Sequence, residues 1–199
     1  MQPLAVFDLD GTITRKDTFL EFIKFTHGKA RLYMNFALIS PLVLLYFLKL
    51  YNNTKLKELV LGLFYKGEKL DELNRLGRNF ALKEIPRLCF PAMSERLEWH
   101  KAEGHKIVIL TASCSVWVKA WCDANGYQLI ATELEAIQGV VTGKLKTENC
   151  YGKAKVTRLY EELNLAQYDY KYAYGNSNSD KYYIEMASEE KHYQPLNGL

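Results

Sequence analysis

Disulfide-type cysteine spacing is missing from this chain of 199 residues, whose four cysteines, Cys89, Cys114, Cys122 and Cys150, include no CxxC pair. At that density they exclude a stapled secreted scaffold and read as reduced thiols in a cytoplasm. A strong charge of either sign is lacking too. A net charge of +3 with no arginine-rich stripe gives no ground for a nucleic-acid partner, and leaves anionic small molecules or a phospholipid surface open. No charged leader with a long apolar run precedes the first predicted strand, so the expected location is cytoplasmic. No uninterrupted run reaches the roughly 20 apolar residues of a bilayer span. Low-complexity segments are also absent, and the 48% hydrophobic content is ample for one packed core with an insertion.

What is present begins at the first dozen residues. Leu4 to Phe7 form a short apolar run that ends in Asp8-Leu9-Asp10-Gly11-Thr12. Such a run, closed by Asp and Gly, predicts a strand covered on both faces. Its two carboxylates, spaced i, i+2, then share one side at the carboxyl end, the edge of an open α/β sheet where ligands bind. Like charges so close call for compensation, and a divalent cation is the usual compensator. Gly11 permits a tight turn, and Thr12 and Thr14 offer hydroxyls to an incoming phosphate.

The stretch Asp8 to Thr12 resembles the first motif, DxDGT, of the haloacid dehalogenase-like phosphatases, and similar matches follow in order. Lys106 to Leu110 predict a second buried strand that runs into Thr111-Ala112-Ser113, resembling the second motif. The resemblance implies a direct hydrogen bond from Thr111 to the transferring phosphoryl group, with backbone N–H groups of its neighbours completing the cradle. Asn149 to Val156 open a helix whose lysines can reach an anion at the strand ends. One form of the third motif, C-x-G-x-x-K-V, maps the phosphate-binding lysine onto Lys155, and the phosphoserine phosphatases align better with Lys153; Lys155 is preferred. Tyr170 to Tyr174 predict another strand, followed by Gly175 to Asp180, which resembles the fourth motif, GDxxxD, with Asn176 in place of its usual aspartate.

The implied fold is α/β, a Rossmann-like three-layer α/β/α core with a parallel sheet, plus a helical cap inserted after the first motif. The expected division is 1–14 and 92–199 for the core and 15–91 for the cap. The implied chemistry is hydrolysis of a phosphate monoester with Asp8 as nucleophile and Asp10 as acid and base. Gly11, Thr12, Thr111, Ala112, Ser113 and Lys155 or Lys153 are the expected phosphate contacts. Mg2+ is the implied cofactor, with Asp8, Asp10 through its backbone carbonyl, Asn176 and Asp180 as candidate metal residues. Asp180 acts either through a water or by holding the motif lysine.

Within the insert, Asp17 caps a helix through Phe25 that Gly28 is expected to stop. Residues 32–48 carry no formal charge, hold Pro41 near the middle, and are flanked by Lys29, Arg31 and Lys49. Three readings stand: a buried helix pair of the cap, an interfacial segment, and a short re-entrant insertion. The basic flanks suit an anionic membrane surface, and the membrane-contacting readings add association with the inner face of the membrane to the cytoplasmic expectation. Thr54 to Ile85 are amphipathic with a break at Gly67, Met93 to Glu103 predict a helix, and Glu133 to Lys146 predict a hairpin or loop around Gly139 and Gly143.

The apolar run, with Lys191-His192-Tyr193-Gln194-Pro195, resembles more loosely the bacterial phosphatidylglycerophosphatases of the C type. A phospholipid or other amphiphilic phosphate is therefore the leading substrate class. A soluble phosphatase of the phosphoserine type is the alternative and needs an arginine or an acidic group in the cap. A catalytically impaired binding protein is the alternative of another class.

Overall fold

The computed structural model describes residues 2–188. Lys191 to Pro195, used above for the looser resemblance, lie outside the described residues.

β1 (Leu4–Phe7) is followed by five helices: α1 (Thr18–Leu38), α2 (Ser40–Phe47), α3 (Asn53–Tyr65), α4 (Leu70–Lys83) and α5 (Ile85–Leu88). After α6 (Pro91–Ala102) come β2 (Lys106–Cys114), α7 (Lys119–Asn125), β3 (Gln128–Thr132), β4 (Leu134–Ile137), β5 (Val140–Leu145), α8 (Lys153–Glu162), β6 (Lys171–Tyr174) and α9 (Lys181–Ile184). Four strands form a parallel sheet in the order β3-β2-β1-β6, with β1 inside. The expected α/β fold with a parallel sheet is therefore present.

Every residue of β1 is buried, because its two faces meet different layers. Ala5 and Phe7, with Ile107 and Ile109, pack toward α6, α7 and the inserted helices; Leu4 and Val6, with Val108 and Leu110, pack toward α8 and α9. This period-2 division is what a doubly covered strand requires. The expected hairpin is β4 and β5, turning at Gln138 and Gly139, both at positive φ. It pairs outside the main sheet and is tied to α3, where Glu58 accepts a hydrogen bond from the Leu145 N–H at 3.1 Å.

The inserted helices share one apolar cluster with a face of the sheet. At its centre Phe22 of α1 packs on Tyr65 of α3, Phe80 of α4 and Trp117 just after β2, with ring centroids 5.2 to 5.6 Å apart.

One expectation about the insert is met in part and another is corrected. Gly28 interrupts the helix where a stop was expected: at φ 79° and ψ 163° it leaves helical geometry, and beyond this kink the chain resumes a helix to Leu38. Residues 32–48 are not a buried helix pair. Leu32 and Ile39 are buried, but among the described residues none of α2 is. Its neighbours in the chain cover only one side of so apolar a helix, where Val43 packs against the core cluster.

Candidate active site

The carboxyl ends of the three adjacent strands β2, β1 and β6 bring four separate stretches of sequence together. Asp8 follows β1 directly, and its N–H donates to the Tyr174 carbonyl of β6 at 2.9 Å. The chain then folds back on itself, with the N–H groups of Thr12, Ile13 and Thr14 all donating to Leu9 O. Gly11 lies at φ 82°, and a Cβ there would stand 2.2 Å from Asn176 Nδ2. Only glycine fits both the turn and the close approach of Asn176.

Asp8 is buried and contacts two groups. Its Oδ1 accepts from Lys155 Nζ at 2.6 Å, and its Oδ2 lies 3.2 Å from the Thr12 hydroxyl. Burial pushes the Asp8 carboxyl up to about 6, with the charge of Asp180 adding to the rise and Lys155 opposing it. Burial alone would lower the Lys155 ammonium, but Asp8 and Asp180 together hold it above its ordinary value. Lys155 is thus a buried cation clasped by two carboxylates.

Asp10 sits beside this pair in a separate network. Its Oδ1 accepts from the Thr18 N–H at the start of α1, and its Oδ2 accepts from the Ser113 hydroxyl, both at 2.6 Å. Burial and the neighbouring charge of Asp17 push its carboxyl up to about 6, against the pull of these hydrogen bonds. A carboxyl poised there can hold or release a proton near neutral pH.

Of the two lysines left open by sequence, Lys155 is the one that reaches Asp8. Lys153 is exposed, and its ammonium stands over the Tyr182 ring at 5.8 Å, so the fold does not bring it to Asp8. Thr111, Ala112 and Ser113 line the same cleft as Asp8, Asp10 and Lys155. Thr111 Oγ1 accepts from the Ser113 N–H at 3.0 Å, so that N–H is occupied. Thr14 departs from expectation: its hydroxyl is near Leu9 O and Lys16 O, holding the loop instead of facing the cleft.

A magnesium ion requires hard oxygen donors. Asp8 Oδ2 and Asn176 Oδ1 lie 3.2 and 3.3 Å from one Thr12 hydroxyl, so two such oxygens converge on one place. That donor set suits the ion. Asp180 is differently placed. Its Oδ1 accepts from Lys155 at 2.6 Å, and its Oδ2 accepts from the N–H groups of Asn176 and Ser177 and from the Ser177 hydroxyl at 2.7 Å. Asp180 therefore holds Lys155 and the turn that carries Asn176, the second of the two roles considered for it. Among the described residues no group of three His, Cys, Asp or Glu side chains forms a metal cluster.

Sequence reasoning missed the cap's polar contribution. Asp17, foreseen only as a helix cap, lines the cleft while accepting from the Leu20 N–H at 2.9 Å. Lys57 of α3 also lines it and donates to the Ala112 carbonyl and to Asn149 Oδ1. Neither lies in a motif, and Lys57 is brought to the site only by the packing of α3 over the strand ends. The rest of the cleft, about 440 Å³, is mainly apolar on the insert side, with Phe36, Val43, Phe47, Leu56 and Val60.

The sequence matches the model of the haloacid dehalogenase-like hydrolases over residues 5–185. The chain belongs to that family. This hydrolase is also 32% identical to Protein CicA of Caulobacter vibrioides over 204 residues, covering 99% of this chain and 88% of the relative. A crystal structure of a protein of unknown function from Bordetella pertussis Tohama I is similar, with a TM-score of 0.80 and 24% identity over 94% of this chain and 87% of that one. A phosphoserine phosphatase in a phospho-aspartyl intermediate analogue shares the fold at a TM-score of 0.66 and 15% identity, over 94% of this chain and 83% of that one.

Proposed function

We propose that this haloacid dehalogenase-like hydrolase is a phosphatase that cleaves phosphate monoesters through an aspartyl-phosphate on Asp8. The observation that carries the reading is the pairing of a buried, lysine-held carboxylate with a second carboxyl poised near neutrality, at one end of one sheet. An Asp8 oxygen attacks phosphorus as the bond from phosphorus to the ester oxygen breaks, and Asp10 gives its proton to the departing alkoxide. Water then attacks the same phosphorus, Asp10 takes the proton, and the bond between phosphorus and Asp8 breaks. Lys155, Thr12 and Thr111, with the backbone of Ala112, bind the phosphoryl oxygens, and the N–H groups of Gly11 and Ser113 hold the loops instead, donating to Thr14 O and Thr111 Oγ1. Bound magnesium, held by Asp8, Asn176 and the Asp10 carbonyl, supplies positive charge that lets a carboxylate approach a phosphate. Asn176 brings no negative charge, so metal affinity is weaker than an aspartate there would give.

Residues 15–91 act as the cap that reads the leaving alcohol. Their apolar lining of the cleft supports an amphiphilic or phospholipid phosphate, with phosphatidylglycerophosphate as the leading case and an anionic membrane touched through 32–48. A second reading, a soluble ester of the phosphoserine type, is supported by Asp17 and Lys57, the acidic and basic groups such a substrate needs. The test is phosphate release, with magnesium and with EDTA, from phosphatidylglycerophosphate in mixed micelles beside phosphoserine and soluble monoesters. Lipid preference supports the first reading and phosphoserine preference the second. Silence on all substrates, equal to an Asp8→Asn control, sinks both and leaves a phosphate-binding protein.

A further inference from the structure

The insert leaves a large apolar surface uncovered. Leu38, Phe47 and Leu50 are each 73% exposed, Met34 is 68% exposed, and Leu44 and Leu48 are each 59% exposed. All fall between residues 34 and 50, on the end of α1, on α2 and just beyond it. Scattered exposed apolar side chains are normal, but a contiguous group of this kind marks an interaction surface.

Charge distribution indicates what covers it. From Phe22 to Lys57 the sequence contains no aspartate or glutamate, but it has Lys24, Lys29, Arg31, Lys49, Lys55 and Lys57. Lys29, Arg31, Lys49 and Lys55 are exposed, and among the described residues none of the four forms an ion pair. An apolar patch rimmed by unpaired cations and free of acids complements an anionic lipid surface, where apolar groups enter the acyl boundary and cations meet headgroups. Tyr33, 63% exposed, adds a ring with a polar tip at the same rim.

Geometry limits how deep the contact goes. α2 has eight residues, about 12 Å at 1.5 Å per residue, against a hydrocarbon core of about 30 Å. It meets α1 at a bend of 72°, and no single helix among the described residues is long and apolar enough to cross a membrane. The segment suits lying in the interface.

The surface is continuous with the cleft. Phe47 lines the cleft and is also largely exposed, so the cleft opens to the outside at α2. Val43 and Tyr46 line the inner side of the same helix, and Leu44 and Leu48 stand outside the lining. A rigid protein partner seated on α2 would narrow that mouth, and a fluid lipid surface leaves it passable.

We infer that residues 33–50 dock on an anionic lipid bilayer, with α2 lying in the headgroup layer and the cleft opening onto the membrane surface. The docking itself stands on the uncovered patch and its cations; that it delivers substrate rests on the proposed phosphatase reading. A lipid phosphate then moves sideways from the bilayer, its acyl chains staying against α2 as its headgroup reaches Asp8.

The test is flotation of the intact chain with vesicles of phosphatidylglycerol and phosphatidylcholine, and with phosphatidylcholine alone. The expected result is salt-sensitive binding to the anionic vesicles and weak binding to the neutral ones. Leu44→Gln with Leu48→Gln is expected to weaken binding by at least about tenfold. Lys29→Gln, Arg31→Gln and Lys49→Gln together are expected to remove the salt-sensitive part. Both variants keep wild-type turnover of a soluble aryl phosphate, which shows that they fold. The inference is overturned if the wild type fails to float, floats equally with both vesicles, or is unaffected by the leucine substitutions. It is equally overturned if the wild type is a dimer that the leucine substitutions dissociate, which assigns the patch to a second copy. Flotation and turnover of the wild type, with Asp8→Asn as the inactive control for turnover, separate the two questions: a wild type that floats but turns over no ester keeps the docking and loses the phosphatase, and turnover without flotation does the reverse.

Discussion

Asp8 and Asp10 stand two residues apart and receive opposite assignments from their surroundings. Asp8 must be ionised to attack, and Asp10 must begin protonated to release the alcohol. Both carboxyls are pushed up to about 6 by burial first, so the productive state is most populated near that pH. The expected outcome is a bell-shaped pH profile of kcat/KM with its maximum near pH 6 to 7. In Asp10→Asn the surviving activity should lose the alkaline limb; a profile still bell-shaped would assign that limb to another group. The lysine pair is decided by helix geometry. Lys153 and Lys155, two residues apart in α8, project about 200° apart, so one helix orientation presents only one of them to the strand ends. Sequence spacing identified both but could not set that orientation. Lys155→Met leaves two buried carboxylates without their cation, and is expected to abolish phosphate release and to lower stability by about 3–5 kcal/mol in urea denaturation. Lys153→Met should leave release within about twofold and stability within about 0.5 kcal/mol. Equal losses in the two variants would return the motif lysine to doubt.

Elements were legible where burial and turn chemistry agree. The run Leu4 to Phe7 became a strand covered on both faces, and the glycines after Ile137 marked a hairpin. The insert was harder because composition reports that a helix is apolar and not what stands next to it. Leu42 to Leu48 fit a buried helix equally well on sequence, and in the structure none of them is buried, with Leu42, Val43 and Tyr46 only half-covered. Gly28 shows a related ambiguity, since glycine marks both helix ends and kinks. At φ 79° and ψ 163° it occupies a region that only glycine enters readily, and a Cβ there meets no atom within 4 Å. Strain without a clash is therefore the whole effect of a substitution. Gly28→Ala is expected to destabilise by about 1–3 kcal/mol in urea denaturation with no loss of aryl phosphate turnover. An unchanged midpoint would mean that α1 straightens through the kink, and that the kink does not position the second half of the helix.

At the scale of the molecule, the site is built at the expense of stability, and pH makes this measurable. One apolar cluster joins the insert to the sheet and a second joins the sheet to α8 and α9, and the carboxylates lie where the strand ends emerge. The motifs made this arrangement legible in outline, because three of them close a strand and the remaining one opens a helix. Asp17 and Lys57 were not legible as cleft residues, since they arrive through packing and not through spacing. Burial raises Asp8 and Asp10 to about 6 in the folded chain, above the ordinary carboxylate value near 4. Below about pH 4 both groups are protonated in the folded and unfolded states, and neither penalises folding. As pH rises from about 4 to about 6 the unfolded chain releases its protons first, so the folded state binds more protons and stability falls. The penalty is complete above the folded value. Asp10→Asn removes one of the two groups and keeps an oxygen able to accept from the Thr18 N–H, and its amide can donate to the Ser113 hydroxyl. Its Tm should therefore exceed that of the wild type by more at about pH 8 than at about pH 4. An equal gain at both pH values would show that Asp10 titrates normally in the folded protein. In that case the charge would be accommodated without strain, and Asp10 would enter the reaction ionised and unable to protonate the leaving alcohol.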